Sequence, residues 1–265
     1  MATNSAPSGD GGPLGEIAES RLLDGRLRLL QPVKGHRAGS DAVLLAATVP
    51  ALGEAVLADF GAGVGTVGLA VALRQPALRI VLIERDPALA ALASRNVALN
   101  GIGERAQVVV GAIGQRPNDG DGFTGKPGSA DWVAMNPPFF AQGEVRASPV
   151  ANRRDAHVAA DVATRSLGDW LKAARRLLRP RGGVAIIHRA DALPAILAGL
   201  ETGFGAIAIR PVHAFAERPA IRVLVSARLG SKKPAALLPA LVVNGPDGRF
   251  TAVAEALHRG EALLA

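Results

Sequence analysis

The chain contains no cysteine and no tyrosine among its 265 residues. Without cysteine there is no disulfide framework, no Cys-ligated zinc site and no thiol nucleophile. Without tyrosine there is no phenolic acid or base, a group many oxidoreductases use. Aromatic residues make up only 3% of the chain, and no run of 18 apolar residues or basic-then-apolar leader is present. A soluble, unexported, cytoplasmic protein with no membrane partner is therefore expected. Lysine is also scarce, with 5 against 25 arginines.

The charge that is present is unevenly spread. Residues 1–140 carry 12 Lys/Arg and 13 Asp/Glu, whereas residues 141–265 carry 18 and 10. A polyanion would be steered toward the second half, although an Arg-rich solvated surface has the same composition. The pairs Arg175-Arg176 and Lys232-Lys233 read as solvated charge, with phosphate contact as the alternative.

From Val56 onward, apolar strands and helices alternate. Strands are expected at Val56–Phe60, Arg79–Ile83, Gln107–Val110, Asp131–Asn136 and Val184–His188. Helices are expected at Ser40–Val49 with Ser40 as N-cap, and at Thr66–Arg74, Pro87–Asn100 and Leu167–Leu178. Near-continuous apolar strands in β–α alternation mean an α/β fold, a parallel sheet covered by helices on both faces. Ala206–Arg210 and Arg222–Ala227 should pair as an antiparallel hairpin at one sheet edge. Gly25–Pro32 alternates as a strand, and residues 1–18, rich in Ser, Gly, Pro and Ala, read as a disordered tail. One domain over residues 19–265 is expected, with extensions at 19–54 and 231–265 around a core at 55–230.

Two stretches carry chemistry. Asn136-Pro137-Pro138-Phe139 follows the apolar run Asp131–Met135. Neither proline has an N–H to donate, and Pro137 restricts Asn136 to an extended or turn conformation. An Asn amide projecting from such a corner suits holding a planar amino group, though a stiffened loop accounts for the same residues. Upstream, Asp59-Phe60-Gly61-Ala62-Gly63-Val64-Gly65-Thr66-Val67-Gly68 joins a strand to a helix, and its glycines let a ligand approach the backbone. Gly63 to Gly68 also matches the dinucleotide pattern G-x-G-x-x-G, with Glu84 ending the next strand. Asp59 speaks against a pyrophosphate, which it would repel, and for a cofactor carrying an ammonium.

Together, the acidic-x-Gly-x-Gly-x-Gly turn, the acidic end of the second strand and the Asn-Pro-Pro-aromatic corner resemble class I S-adenosylmethionine-dependent methyltransferases. The segments Gln31–Leu45 and Leu241–Thr251 are similar to those of the bacterial tRNA1(Val) adenine N6-methyltransferases, and the resemblance covers about residues 20–265. It implies a Rossmann-like, seven-stranded, mostly parallel sheet with an antiparallel edge hairpin and an N-terminal extension. It implies methyl transfer from S-adenosylmethionine to the N6 amine of an adenine in tRNA, next to the anticodon of valine tRNA; a monomer is expected. Gly61, Gly63 and Gly65 would line the cofactor, Asp59 would lie near its amino-acid moiety, and Glu84 would accept from its ribose hydroxyls. Asn136, Pro137 and Phe139 would face the target base. Lys34, Arg37 and Asp41 lie in a segment that closes over cofactor or substrate in relatives, while Arg146, Arg153 and Arg154 would hold tRNA phosphates. Relatives often carry an acidic residue after the third strand; here Val110-Gly111-Ala112-Ile113 supplies none.

Other readings remain at this point. A guanine N2 amine in rRNA or a protein glutamine amide presents similar chemistry to the same corner. A nicotinamide-dependent oxidoreductase would use Gly63 to Gly68 and leave the Asn-Pro-Pro-Phe corner unexplained. A non-catalytic RNA-binding protein could be built on the same fold. His36, His188 and His213 lack metal-ligand spacing, so no metal is expected, and Trp132 and Trp170 read as packing residues.

Overall fold

The computed structural model describes residues 14–34, 39–113, 122–123, 125–138 and 167–264. Ile17–Leu22 (β1) and Leu27–Pro32 (β2) form an antiparallel hairpin. Ile17 and Ala18, assigned to a tail by composition, thus open a strand, and residues 1–13 lie outside the described part. Ser40–Thr48 (α1) follows. Its N-cap is Gly39 rather than the expected Ser40. The Ser40 hydroxyl instead meets His258 Nε2 at 2.9 Å.

Next come Val56–Phe60 (β3), Thr66–Arg74 (α2), Arg79–Glu84 (β4), Pro87–Leu99 (α3) and Ala106–Val110 (β5). The side chain of Asp86 caps α3 by accepting from the N–H groups of Ala88 and Leu89. Arg74, in the last turn of α2, donates to the carbonyls of Ala46 and Val49, at 2.7 Å for the latter, and so closes the C-terminal end of α1. Two short strands, Ala112–Ile113 (β6) and Gly122–Phe123 (β7), pair in parallel.

Ala130–Met135 (β8), a helix over residues 167–177 (α4) and Leu178–Arg189 (β9) complete the parallel core. Leu193–Leu200 (α5), Phe204–His213 (β10), Ala220–Leu229 (β11), Ala236–Leu237 (β12), Leu241–Val242 (β13) and Ala252–Arg259 (α6) follow. The main sheet runs β12-β10-β11-β9-β8-β3-β4-β5, with β13 also on β10. Seven long strands therefore form it, extended at one edge by two two-residue strands. The expected hairpin is present as β10 and β11, but β11 lies inside the sheet, antiparallel to both β9 and β10.

Each central strand is buried on both faces. In β3, Leu57 packs with α1 and α2 residues such as Leu44, Leu45, Leu69 and Val71, while Ala58 and Phe60 point to the opposite layer with Leu171 of α4 and Ile196 of α5. Burying such a side chain contributes roughly 1.5–3 kcal/mol, so the two apolar layers fix the strand ends from which the site is built. No described helix is long and apolar enough to cross a membrane.

Candidate active site

The carboxyl ends of β3, β4 and β8 lie side by side, since Phe60 pairs with Ile83 on one side and Met135 on the other. Asp59, Glu84 and Asn136 therefore arrive at one sheet edge, where open parallel sheets bind ligands.

Beyond β3 the backbone turns through Gly61, Gly63 and Gly65, with φ of 65°, 56° and 90°, the left-handed region that glycine enters without cost. The three glycines differ in what surrounds them. A Cβ on Gly61 would lie 2.6 Å from the Trp170 ring, and one on Gly65 2.9 Å from Leu82, whereas at Gly63 nothing lies within 4 Å. Gly63 is therefore where a ligand can approach the backbone. Gly68 has the packing role in the helix, where a Cβ would fall 2.4 Å from Leu82.

Asp59, 2% exposed, accepts the N–H of Gly68 on Oδ2 at 2.9 Å and clasps α2 onto its strand. Burial pushes its carboxyl up to about 7, opposed by the Gly68 N–H and reinforced by the charge of Glu84. Glu84, 7% exposed, accepts the N–H of Gly63 on Oε2 at 2.8 Å and that of Asp86 on Oε1 at 2.9 Å. A carboxylate offers about four lone-pair sites, so each oxygen keeps capacity for a further donor. Gly111 N–H is held by the Glu84 carbonyl at 2.9 Å, in the stretch that lacks the relatives' acidic residue.

Asn136 follows β8 directly and is half-buried. Its Oδ1 is buried and has no hydrogen-bond partner among the described residues. A buried polar atom left unsatisfied costs about 1–3 kcal/mol, and none of the described residues supplies a donor to this oxygen. Pro137 is buried and Pro138 exposed; Phe139 lies outside the described residues, as do Arg37, Arg146, Arg153 and Arg154. Lys34 is exposed two residues beyond the end of β2. Asp41, in the first turn of α1, accepts from Arg222 Nε at 2.9 Å on its Oδ2. His188, at the end of β9, is 9% exposed, and burial holds its imidazole below the usual range. Among the described residues no cluster of His, Cys, Asp or Glu could hold a metal ion.

Of two supporting residues, Asn96 escapes a sequence reading, whereas Trp170 is the packing residue it was expected to be. Asn96 of α3 is fully buried. It donates to the carbonyls of Leu30 at 2.9 Å and Val64 at 3.0 Å, and accepts the Leu30 N–H at 2.7 Å. Its signal was a polar residue on the apolar stripe Leu92-Ala93-Asn96-Val97. Trp170 of α4 covers Gly61 and meets the Phe60 ring edge-on, with centroids 6.3 Å apart.

A parallel sheet in this order, with one antiparallel strand beside its end, a glycine turn above an acidic strand end and an Asn-Pro-Pro corner, defines a Rossmann-like methyltransferase. The chain belongs to the methyltransferase small-domain family, whose model matches residues 37–209. The tRNA1(Val) (adenine(37)-N6)-methyltransferase of Aeromonas hydrophila is 30% identical over 219 residues, 81% of this chain and 85% of that one. The protein of that name from Yersinia pestis is 36% identical over 106 residues, 40% of each chain. Among solved structures, a predicted O-methyltransferase from Agrobacterium tumefaciens, Atu636, superposes with a TM-score of 0.70 at 26% identity, covering 85% of this chain and 98% of its own.

Proposed function

We propose that this methyltransferase transfers the methyl group of S-adenosylmethionine to the exocyclic N6 amine of an adenine in tRNA, next to the anticodon of valine tRNA. The observation that carries the reading is the buried Oδ1 of Asn136, which has no partner among the described residues and follows the strand next to the one that ends in the glycine turn. When bound, S-adenosylmethionine supplies a methyl group on a sulfonium centre already activated for displacement. The residues fit such a group: Gly63 faces open space and Glu84 retains acceptor capacity for ribose hydroxyls. Gly61 and Gly65 shape the turn around it, and Asp59 would lie near the ammonium of its amino-acid moiety. Lys34, Arg37 and Asp41 would close over the bound ligands.

An adenine amine is a weak nucleophile because its lone pair is delocalised into the ring. Asn136 Oδ1 and the Pro137 carbonyl would each accept one of its N–H bonds. That draws the nitrogen toward sp³ geometry and frees the lone pair; as the N–C bond forms the methyl C–S bond would break, releasing the neutral thioether, and one of the two N–H protons would then pass to solvent. Positioning and charge stabilisation then matter more than a strong base. Phe139 would stack on the unstacked base, a contact worth roughly 1–3 kcal/mol, and Arg146, Arg153 and Arg154 would hold phosphates. The net charge of +8 over residues 141–265, from 18 Lys/Arg against 10 Asp/Glu, supports a polyanionic substrate. The relatives' names support tRNA and adenine.

Incubation with S-adenosylmethionine and undermethylated bulk tRNA, followed by nucleoside mass spectrometry, tests the reading. N6-methyladenosine is the expected product. N2-methylguanosine, or no methylated nucleoside at all, would overturn it.

A further inference from the structure

The opposite edge of the sheet carries a second cleft that methyl transfer does not use. It has a volume of about 750 Å³ and is lined by Thr48, Arg181, Ser226, Arg228, Ser231 and Lys233 over the ring of Trp132, within the size range of ligand pockets. Trp132 precedes Asn136 by four residues of extended chain, so the two sites are separated by roughly 13 Å of strand.

A cross-strand row forms its floor. Trp132 pairs with Gly183, and Gly183 with Arg228. A Cβ on Gly183 would lie 2.2 Å from the indole, so only glycine lets the Trp132 ring lie across β9. The Arg228 guanidinium then stacks 4.3 Å from the ring centroid. The rim is just as specifically built. Ala206 N–H donates to the Lys233 carbonyl at 2.9 Å and Gly230 N–H to the Gly203 carbonyl at 2.7 Å, which fastens the loop after β11 onto β10. Arg181 and Ala206, two of the four non-glycine residues with left-handed backbone among those described, both line this cleft. Such strain is concentrated at functional sites.

The charges are one-sided. No carboxylate lines the cleft, and none pairs with Arg181, Arg228 or Lys233 among the described residues. Nearby Arg179, by contrast, is engaged by Asp131 at 2.8 and 3.0 Å. The indole N–H of Trp132, a residue 3% exposed, has no acceptor among the described residues either. Three cations and two serines thus line one hollow, with no carboxylate among the described residues that line it.

We propose that this cleft binds phosphate groups of the RNA backbone, as a second contact for the substrate away from the methyl-transfer edge. The proposal rests on the reading of the substrate as tRNA.

The test compares wild type with the double variant Arg181→Gln/Lys233→Gln, both positions being exposed and outside the methyl-transfer site. Binding of bulk tRNA is measured by fluorescence anisotropy over a range of salt. The variant should bind about 10-fold more weakly, with the slope of log affinity against log salt reduced by about 1–2, because each lost phosphate contact removes roughly 0.7–0.9 of it. Its kcat at saturating tRNA, its affinity for S-adenosylmethionine and its melting temperature should match wild type. Equal tRNA affinity and equal salt slope in both proteins would overturn the cleft while leaving the tRNA reading intact. No tRNA binding by wild type would overturn both. Inorganic pyrophosphate provides the other arm. Calorimetric binding of pyrophosphate that is lost in the variant, with tRNA affinity unchanged, would assign the cleft to a small phosphorylated compound and overturn the RNA contact.

Discussion

Glu84 Oε2 accepts the N–H of Gly63 at 2.8 Å, which fastens the one glycine with open space around it to the end of the neighbouring strand. The same carboxylate holds Asp86 N–H, the cap of α3, on its other oxygen. Glu84→Gln replaces one of these acceptors with a donor. Hydrogen bonds to charged groups contribute about 1.5–3 kcal/mol, so the affinity for S-adenosylmethionine should fall by about 10- to 100-fold, with a smaller loss of stability. Isothermal titration calorimetry and urea unfolding measure the two. An unchanged dissociation constant would remove Glu84 from the site.

Asn136→Ala separates chemistry from binding. Removing a preorganised hydrogen-bonding group in an active site costs about 10²–10³ in kcat, and the loss here should be at least that large. Affinity for the methyl donor should stay within a few-fold. Stability should hold or rise, because the variant deletes a buried acceptor that has no partner among the described residues. Turnover near the wild-type rate would count against the amine-holding role.

Asp59 gives the protein a pH-dependent stability of known sign. Its folded pKa of about 7 lies above the usual carboxylate value near 4. Between those two values the folded chain holds a proton that the unfolded chain has released. Stability therefore falls as pH rises from about 4 to 7 and levels off above that. Asp59→Asn keeps an acceptor for Gly68 and removes the titration. Urea unfolding at pH 5 and pH 8 should show a loss in wild type greater than in the variant by an amount on the order of 1–3 kcal/mol. Parallel losses would show that Asp59 titrates normally.

Gly63→Ala and Gly68→Ala should fail in different ways. At Gly68 the added methyl meets Leu82 at 2.4 Å in a packed layer, and overpacking costs about 1–3 kcal/mol. At Gly63 the methyl meets nothing, but the backbone is left-handed at φ 56°, a conformation costing a side-chain-bearing residue roughly 1–2 kcal/mol. Gly63→Ala should therefore weaken methyl-donor binding more than it lowers the melting temperature, and Gly68→Ala should do the reverse. Identical ratios of the two effects would mean that the glycines are interchangeable.

Much of the architecture was legible because strands buried on both faces are written as continuous apolar runs, as in β3, β4 and β8. Asp59, Glu84 and Asn136 could be found because each stands at or within one residue of the end of such a run. What escaped depends on distant partners. Ser40 looked like a cap, yet its hydroxyl serves His258, 218 residues away. Asn96 finds its partners 66 and 32 residues away. The helix α5 contains Pro194 and Gly199, residues that locally read as breakers, although a proline in the first turn is compatible with a helix. The second cleft has no motif at all, because its cations come from β9, β11 and the loop beyond it.

Asn96 holds Leu30 of the N-terminal hairpin and Val64 of the glycine turn with one amide. That links the hairpin to the turn where the proposed methyl donor would sit, although no hairpin residue need touch the ligand. Coupling of this kind is reciprocal. Trimming the hairpin should loosen methyl-donor binding, and filling the turn with S-adenosylmethionine should slow hydrogen exchange at the Leu30 amide.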